Sequence, residues 1–185
     1  MSKIKILVVP SDRTGVGYYR STVPHINLQK LFPDDVHVDI DYEPQYKNDK
    51  WLKQYDIIHY HRTFGPFEEI DETMATLERL GIPSIMDLDD HWSPGQHHPA
   101  YKIIKENKLD EKISKSLRLA DNITTTTTVF AQEMKKLNKN VYVIPNAIDP
   151  KEKQYTPNPQ PSKRIRIGWL GGSSHLKDLE LLRGL

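Results

Sequence analysis

The densest chemistry-bearing run in this sequence is Asp87-Leu88-Asp89-Asp90-His91-Trp92, in which three carboxylates and an imidazole stand almost side by side. Neighbouring carboxylates repel one another, so such a run needs a reason. Three readings fit the residues. Asp87 and Asp89 could bind a divalent metal. A carboxylate could bind sugar hydroxyls or serve as a base, with Asp90 or His91 in that role. The run could also be a helix N-cap followed by a solvated acidic turn.

A second candidate lies near the N-terminus, where the loop SDRTGVGYYR brings Gly15 and Gly17 just before a helix, with Arg20 one turn in. Glycines let backbone N–H groups approach a phosphate, and the positive end of the helix dipole favours that charge. Arg20 could add a forked contact to a phosphate or a carboxylate. The same glycines could equally serve a tight strand-to-helix turn. The spacing is not the dinucleotide fingerprint, because Arg20 sits where its third glycine would be. His59 and His61 are two apart and so share one face of a strand. With no third ligand at matching spacing, packing is the expected role of the pair, while His61 and Arg62 gain interest from their place at the strand's end. Finally, Gly171-Gly172-Ser173-Ser174 follows a short apolar run and precedes a leucine-rich helical pattern, repeating the strand, glycine turn and helix that open the chain.

Those groups need elements to hold them. Residues 4–9 are apolar on nearly every position, the pattern of a parallel strand covered on both faces. Residues 36–42 alternate as a more exposed strand, 48–54 form a short helix, and 56–61 form a third strand. A helix over 68–80 carries the apolar stripe Ile70, Met74 and Leu77 and stops at Gly81. Residues 84–88 are a fourth strand running straight into the aspartate turn, and 94–99 form a loop. Residues 101–119 read as one basic, amphipathic helix, suited to a membrane surface or to a core helix with a solvated basic face. A β-branched fifth strand spans 122–127, a helix capped by Thr128 or a neighbour spans 129–137, and a sixth strand spans 141–144. This alternation gives an α/β fold with a Rossmann-like, doubly wound, mostly parallel sheet, and places the loops that follow the strands at its ligand-binding edge. Composition divides the chain into an N-terminal domain (1–150), a proline-rich linker (151–163) and the opening of a second Rossmann-like domain (164–185).

Lys and Arg number 26 against 25 Asp and Glu, so a net charge of +1 gives no general electrostatic reason to expect nucleic acid. The absence of cysteine excludes disulfides, thiolate metal sites and cysteine nucleophiles. No apolar stretch reaches membrane-span length, so a cytoplasmic protein is expected, with attachment to a membrane surface open.

Four segments, in order, carry a resemblance to a family: GVGYYRSTVP, GIPSIMDLDDHW, LADNITTTTTVFAQEMKKLNKNVYVIPNAIDP and IRIGWLGGSSHLKDLELL. Together they resemble the group 1 glycosyltransferases of the two-Rossmann-domain (GT-B) type. The resemblance implies a retaining transferase that moves a sugar from a nucleotide diphosphate sugar to a sugar or lipid-linked acceptor bound mainly by the N-terminal domain. It implies no tightly bound metal and no cofactor apart from the donor substrate. Gly15, Gly17 and Arg20 match the loop facing the donor phosphates or the acceptor. Asp89 and Asp90 match the acidic pair at the cleft, and together with the adjacent His91 they are the candidate catalytic residues. Gly172, His175 and Lys177 match the phosphate-binding turn of the donor domain. Asn146-Ala147 departs from the family's commoner Asn-Gly. The family's Glu-x7-Glu motif would follow Leu185, so a shortened donor domain, or a second chain supplying one, is expected. Two other readings are a noncatalytic module that binds a sugar or a partner protein, and an epimerase of UDP-sugars on the same architecture.

Overall fold

A computed structural model describes residues 3–157, 161, 163–165, 168 and 178–183. The chain divides into two compact units, one of Met1–Trp92 with Lys108–Ala147 and another of Ser93–Asn107 with Ile148–Leu185.

The larger unit is built on six strands: β1 (Ile4–Val9), β2 (Val36–Ile40), β3 (Ile57–His61), β4 (Ser84–Asp87), β5 (Asn122–Thr125) and β6 (Val141–Val143). All pair in parallel, in the order β2-β1-β3-β4-β5-β6. Chain order therefore reverses beside β1, the topological switch at which open α/β sheets place their ligands. The expected α/β class and doubly wound parallel sheet are borne out.

Alternation along the strands sorts the side chains between two faces. Ile58 and Tyr60 of β3, Met86 of β4 and Ile123 of β5 point to one side, where α3 (Ile70–Leu80), α5 (Leu109–Leu119) and α6 (Thr128–Met134) bring Ile70, Met74, Leu77, Ile113, Leu117, Ala131 and Met134 into one apolar core. The short α2 (Asp49–Leu52), capped by Asn48, adds Leu52 to the same core. The other face carries His59, His61, Asp87 and Thr124, next to a π-helical turn at Gly17–Thr22 that runs into α1 (Val23–Leu31). Unlike the first face, it is rich in buried polar groups, of which Asp87 and Thr124 are paired with each other, whereas Nδ1 of His59 and of His61 find no partner among the described residues.

Several local expectations hold. Gly81 ends α3 in the left-handed conformation with φ 70°, and Thr127 caps α6 by accepting from the Phe130 N–H at 3.2 Å. Others are corrected. The single helix read from residue 18 onward begins as a π-turn. The helix expected from residue 68 opens as a 3-10 turn, Phe67–Glu69, before α3. The single basic helix read over 101–119 is two helices, α4 (Tyr101–Glu106) in the smaller unit and α5 in the larger. Asn107 closes α4 by donating from Nδ2 to the Ile103 carbonyl at 2.8 Å, and Lys108 then adopts a left-handed φ of 52° that no helix continues through. The basic face of α5 is paired within the unit: Lys112 bonds Glu68 at 2.7 Å, and Lys115 bonds Asp71.

In the smaller unit, the described residues form α4 and 3-10 turns at Lys153–Tyr155 and Asp178–Leu182. No helix among the described residues is long and apolar enough to cross a membrane.

Candidate functional site

The loop after β1 is organised by Asp12. Its carboxylate accepts from the backbone N–H of Thr14 at 3.0 Å and of Gly17 at 3.1 Å, and from the Ser11 hydroxyl at 2.9 Å. Burial alone would raise the Asp12 pKa, but the Gly17, Ser11 and Thr14 bonds and the nearby His61 bring it below the ordinary carboxylate value. The loop thus folds around an anion of its own, in the place where a phosphate was expected to sit. The glycines follow from the same geometry. Gly15 has φ 37°, and a Cβ on Gly17 would stand 2.3 Å from the Asp12 carbonyl oxygen and 2.7 Å from its nitrogen.

Arg20 does make a forked contact, and its partner is internal. Nε donates to Asp87 Oδ2 at 3.0 Å and Nη2 to Asp87 Oδ1 at 2.5 Å, while Nη1 donates to the Ile144 carbonyl at 2.6 Å and to Asn146 Oδ1 at 3.3 Å. Both side chains of the pair are buried. Thr124 completes the carboxylate's coordination through a 2.6 Å bond to Oδ1. Asp87 is therefore withdrawn from the metal reading, and Arg20 ties the π-turn to β4 and to the chain following β6. Among the described residues no group of three or more His, Asp or Glu is placed to hold a metal ion.

Beyond β3 and β4 the groups are less enclosed. His61, buried at the end of β3, bonds Asp89 through Nε2 to Oδ1 at 3.1 Å, with 12% of the Asp89 side chain exposed. Burial would raise the Asp89 pKa, yet the hydrogen bond and charge of His61, its own backbone and the charge of Arg62 lower it overall. Asp89 is thus an ionised acceptor at neutral pH, unsuited to donate a proton as a general acid. Register explains the meeting. His61 pairs with Asp87, so the residue two beyond Asp87 returns to the same side as His61. The His61 Nδ1 and the Arg62 Nε are buried and find no partner among the described residues. Arg62 also holds a left-handed φ of 66°, and its guanidinium lies 3.9 Å from Asp90, whose side chain is 77% exposed. Strain in a non-glycine residue beside orphaned polar atoms is characteristic of functional sites. His91 follows, stacked on Trp92 with ring centroids 5.0 Å apart and planes 3° apart.

Asp89, Asp90 and His91 thus share one edge with His61 and Arg62, whereas Gly15, Gly17 and Arg20 are engaged in holding the loop and the sheet together. Gly172, His175 and Lys177 lie outside the described residues. The His59 ring faces His25 at 4.4 Å, in line with the packing role expected for it. A cavity of about 340 Å³ opens beside these rings and the Arg20–Asp87 pair. The sequence signal for Asp12 is its position three residues past the end of β1. Its bonding role becomes visible only once the loop closes.

Residues 6–152 match the model of Glycosyltransferase Family 4. No curated protein matches the chain. The match runs from within β1 past the Asn146 turn and so includes the other five strands and each described site residue. The chain belongs to the glycosyltransferase family 4 group, as the resemblance of its segments implied.

Proposed function

We propose that this chain is the acceptor-side part of a transferase that moves a glycosyl group from a nucleotide diphosphate sugar to an acceptor hydroxyl. The observation that carries the reading is the His61–Asp89 pair: an ionised carboxylate, oriented by a buried imidazole, at the ligand edge of a glycosyltransferase-family sheet. In the reaction the bond between the anomeric carbon and the diphosphate oxygen breaks, and a bond forms from the acceptor oxygen to that carbon. The acceptor proton is released, and the nucleoside diphosphate departs. Asp89 accepts a hydrogen bond from a reacting sugar hydroxyl and steadies positive charge developing at the anomeric centre. Asp90 and His91 contact the acceptor at the more exposed rim. In this reading residues 1–150 form the acceptor-side domain, 151–163 the crossing and 164–185 the opening of the donor-binding domain, where Gly172, His175 and Lys177 meet the diphosphate. A second chain could supply further donor contacts.

The test is calorimetric titration with UDP, GDP and their common sugar conjugates, with and without magnesium, followed by assay of nucleoside diphosphate release. Metal-independent binding of one nucleotide, with release that depends on an added acceptor and on Asp89, is the expected outcome. One specific observation favours the second reading, a module that binds a sugar or a partner and transfers nothing: the β1 loop donates to Asp12 the N–H groups that a phosphate would use. Sugar binding without any nucleotide binding would decide for it.

A further inference from the structure

The aspartate turn ends in aromatic rings that pack against the edge of the core and keep part of their surface open to solvent. β4 and β5 are neighbours, so the turn leaving β4 and the first turn of α6 after β5 come together at one edge. There the His91 ring lies parallel to the Trp92 indole, and the Phe130 ring sits 5.9 Å from His91 and 6.0 Å from Trp92. The indole is fixed by a 2.8 Å bond from Nε1 to the Ser114 hydroxyl of α5. Trp92 and Phe130 are half-buried, His91 is exposed, and Val129 next to Phe130 is 73% exposed. A partly exposed aromatic cluster, with the His91 and Trp92 rings parallel and Phe130 tilted against them by 31° and 34°, therefore follows Asp89 and Asp90 in the same turn.

We infer that this cluster is a binding platform for a neutral pyranose ring of the acceptor, with Asp90 accepting from its rim hydroxyls. A pyranose has a face of weakly positive C–H groups and a rim of hydroxyls. The negative face of an aromatic ring suits the first, and a carboxylate suits the second. Charge selects among flat ligands: the phosphates of a nucleotide seated on the rings themselves would be repelled by the exposed Asp90, whereas a neutral sugar would not. The Trp92–Ser114 bond lowers the entropic cost of binding, because the platform's largest ring is already held. The inference rests on the acceptor-side reading and narrows it to a carbohydrate acceptor.

Saturation-transfer NMR on the full chain, with the methyl α-pyranosides of glucose, mannose and galactose as probes, tests it. At least one is expected to receive saturation, strongest at the C–H protons of one ring face. His91→Ala and Phe130→Leu, which keep the core filled, are each expected to weaken that binding roughly five- to tenfold. Asp90→Asn should weaken it as well, and UDP or GDP binding should be unchanged in all three. Failure of all three glycosides to bind the wild type would overturn the platform, as would binding indifferent to both ring substitutions. Stacking of the nucleotides alone, lost in His91→Ala, would overturn it in favour of a base-binding surface. The two proposals can fail separately. Sugar binding that depends on the rings, with no transfer from any nucleotide sugar, would refute the transferase and keep the platform. Transfer whose acceptor KM ignores His91→Ala would do the reverse.

Discussion

Two turns at the same sheet edge, the glycine loop after β1 and the aspartate turn after β4, present similar promise in sequence and opposite characters in structure. The first is closed on itself: Asp12 takes the loop's N–H groups, and Arg20 is held by Asp87, Ile144 and Asn146. The second is held from one side, with His61 grasping one oxygen of Asp89, Asp90 largely exposed, and the rings of His91 and Trp92 at its rim. A charge fully satisfied by internal partners builds architecture, whereas one that is oriented but still reachable can act on a ligand.

The sharpest way to break this contrast is Arg20→Ala. If Arg20 is architectural, its loss leaves Asp87 buried without a counter-charge and lowers the folding free energy by about 3–5 kcal/mol. Urea denaturation would measure the loss, and pairing the change with Asp87→Leu should recover much of it. Unchanged stability together with weakened diphosphate binding would instead move Arg20 into the ligand site. Asp89→Asn should behave in the opposite manner. Transfer falls by roughly 10²-fold or more, the scale of a lost catalytic carboxylate, while the urea midpoint moves little. A collapse of stability in Asp89→Asn would make that turn architectural too.

How far these roles were legible in the sequence depends on the range of the interaction. The strands and Gly81 as a helix stop are local, and periodicity and composition reveal them, although the fifth strand read over 122–127 ends at Thr125, because Thr127 turns to cap α6. The sequence hides the break between α4 and α5, because the apolar stripe continues across it and the decisive event is a backbone turn at Lys108. The position of His61 at a strand's end marked it for attention, but its partner Asp89 lies 28 residues away. Arg20 and Asp87 are 67 residues apart. Their chemistry was visible, and their pairing was not, because only the order of strands brings them together. For the same reason Arg20 read as a ligand contact when its carboxylate is the chain's own.

Glycine substitutions sharpen the comparison within the β1 loop at smaller energies. In Gly17→Ala the new methyl group meets Asp12 backbone atoms that cannot swing aside, so a loss of about 1–3 kcal/mol is expected. In Gly15→Ala the space is open, with Asp12 Oδ1 at 3.8 Å, and the cost is that of an L-residue at positive φ, about 1 kcal/mol. An effect at Gly17 no larger than that at Gly15 would mean that the loop gives way around the new methyl group and that close approach does not determine it.

The gentlest probe is pH, because it perturbs the closed region without altering a residue. His59 is buried, and burial first, then the nearby His25, Arg20 and His61, holds its pKa well below the ordinary 6.5. His25 is shifted the same way by burial, opposed by its Ser21 carbonyl contact and by Asp87. A histidine with a depressed folded-state pKa binds fewer protons folded than unfolded. Its contribution is therefore complete above the unfolded value and is lost as pH falls below it. Between pH 7 and 5 the folding free energy should decline, with a slope from His59 of at most about 1.4 kcal/mol per pH unit. His59→Leu should flatten the curve. Asp12 and Asp89, both shifted below the ordinary 3.8, act in a separate window, losing their contributions only as pH falls below about 4. Denaturation midpoints level from pH 7 to 5 would mean that His59 takes up its proton without opening the fold, and the closed region would then be less closed than the Arg20–Asp87 pair makes it.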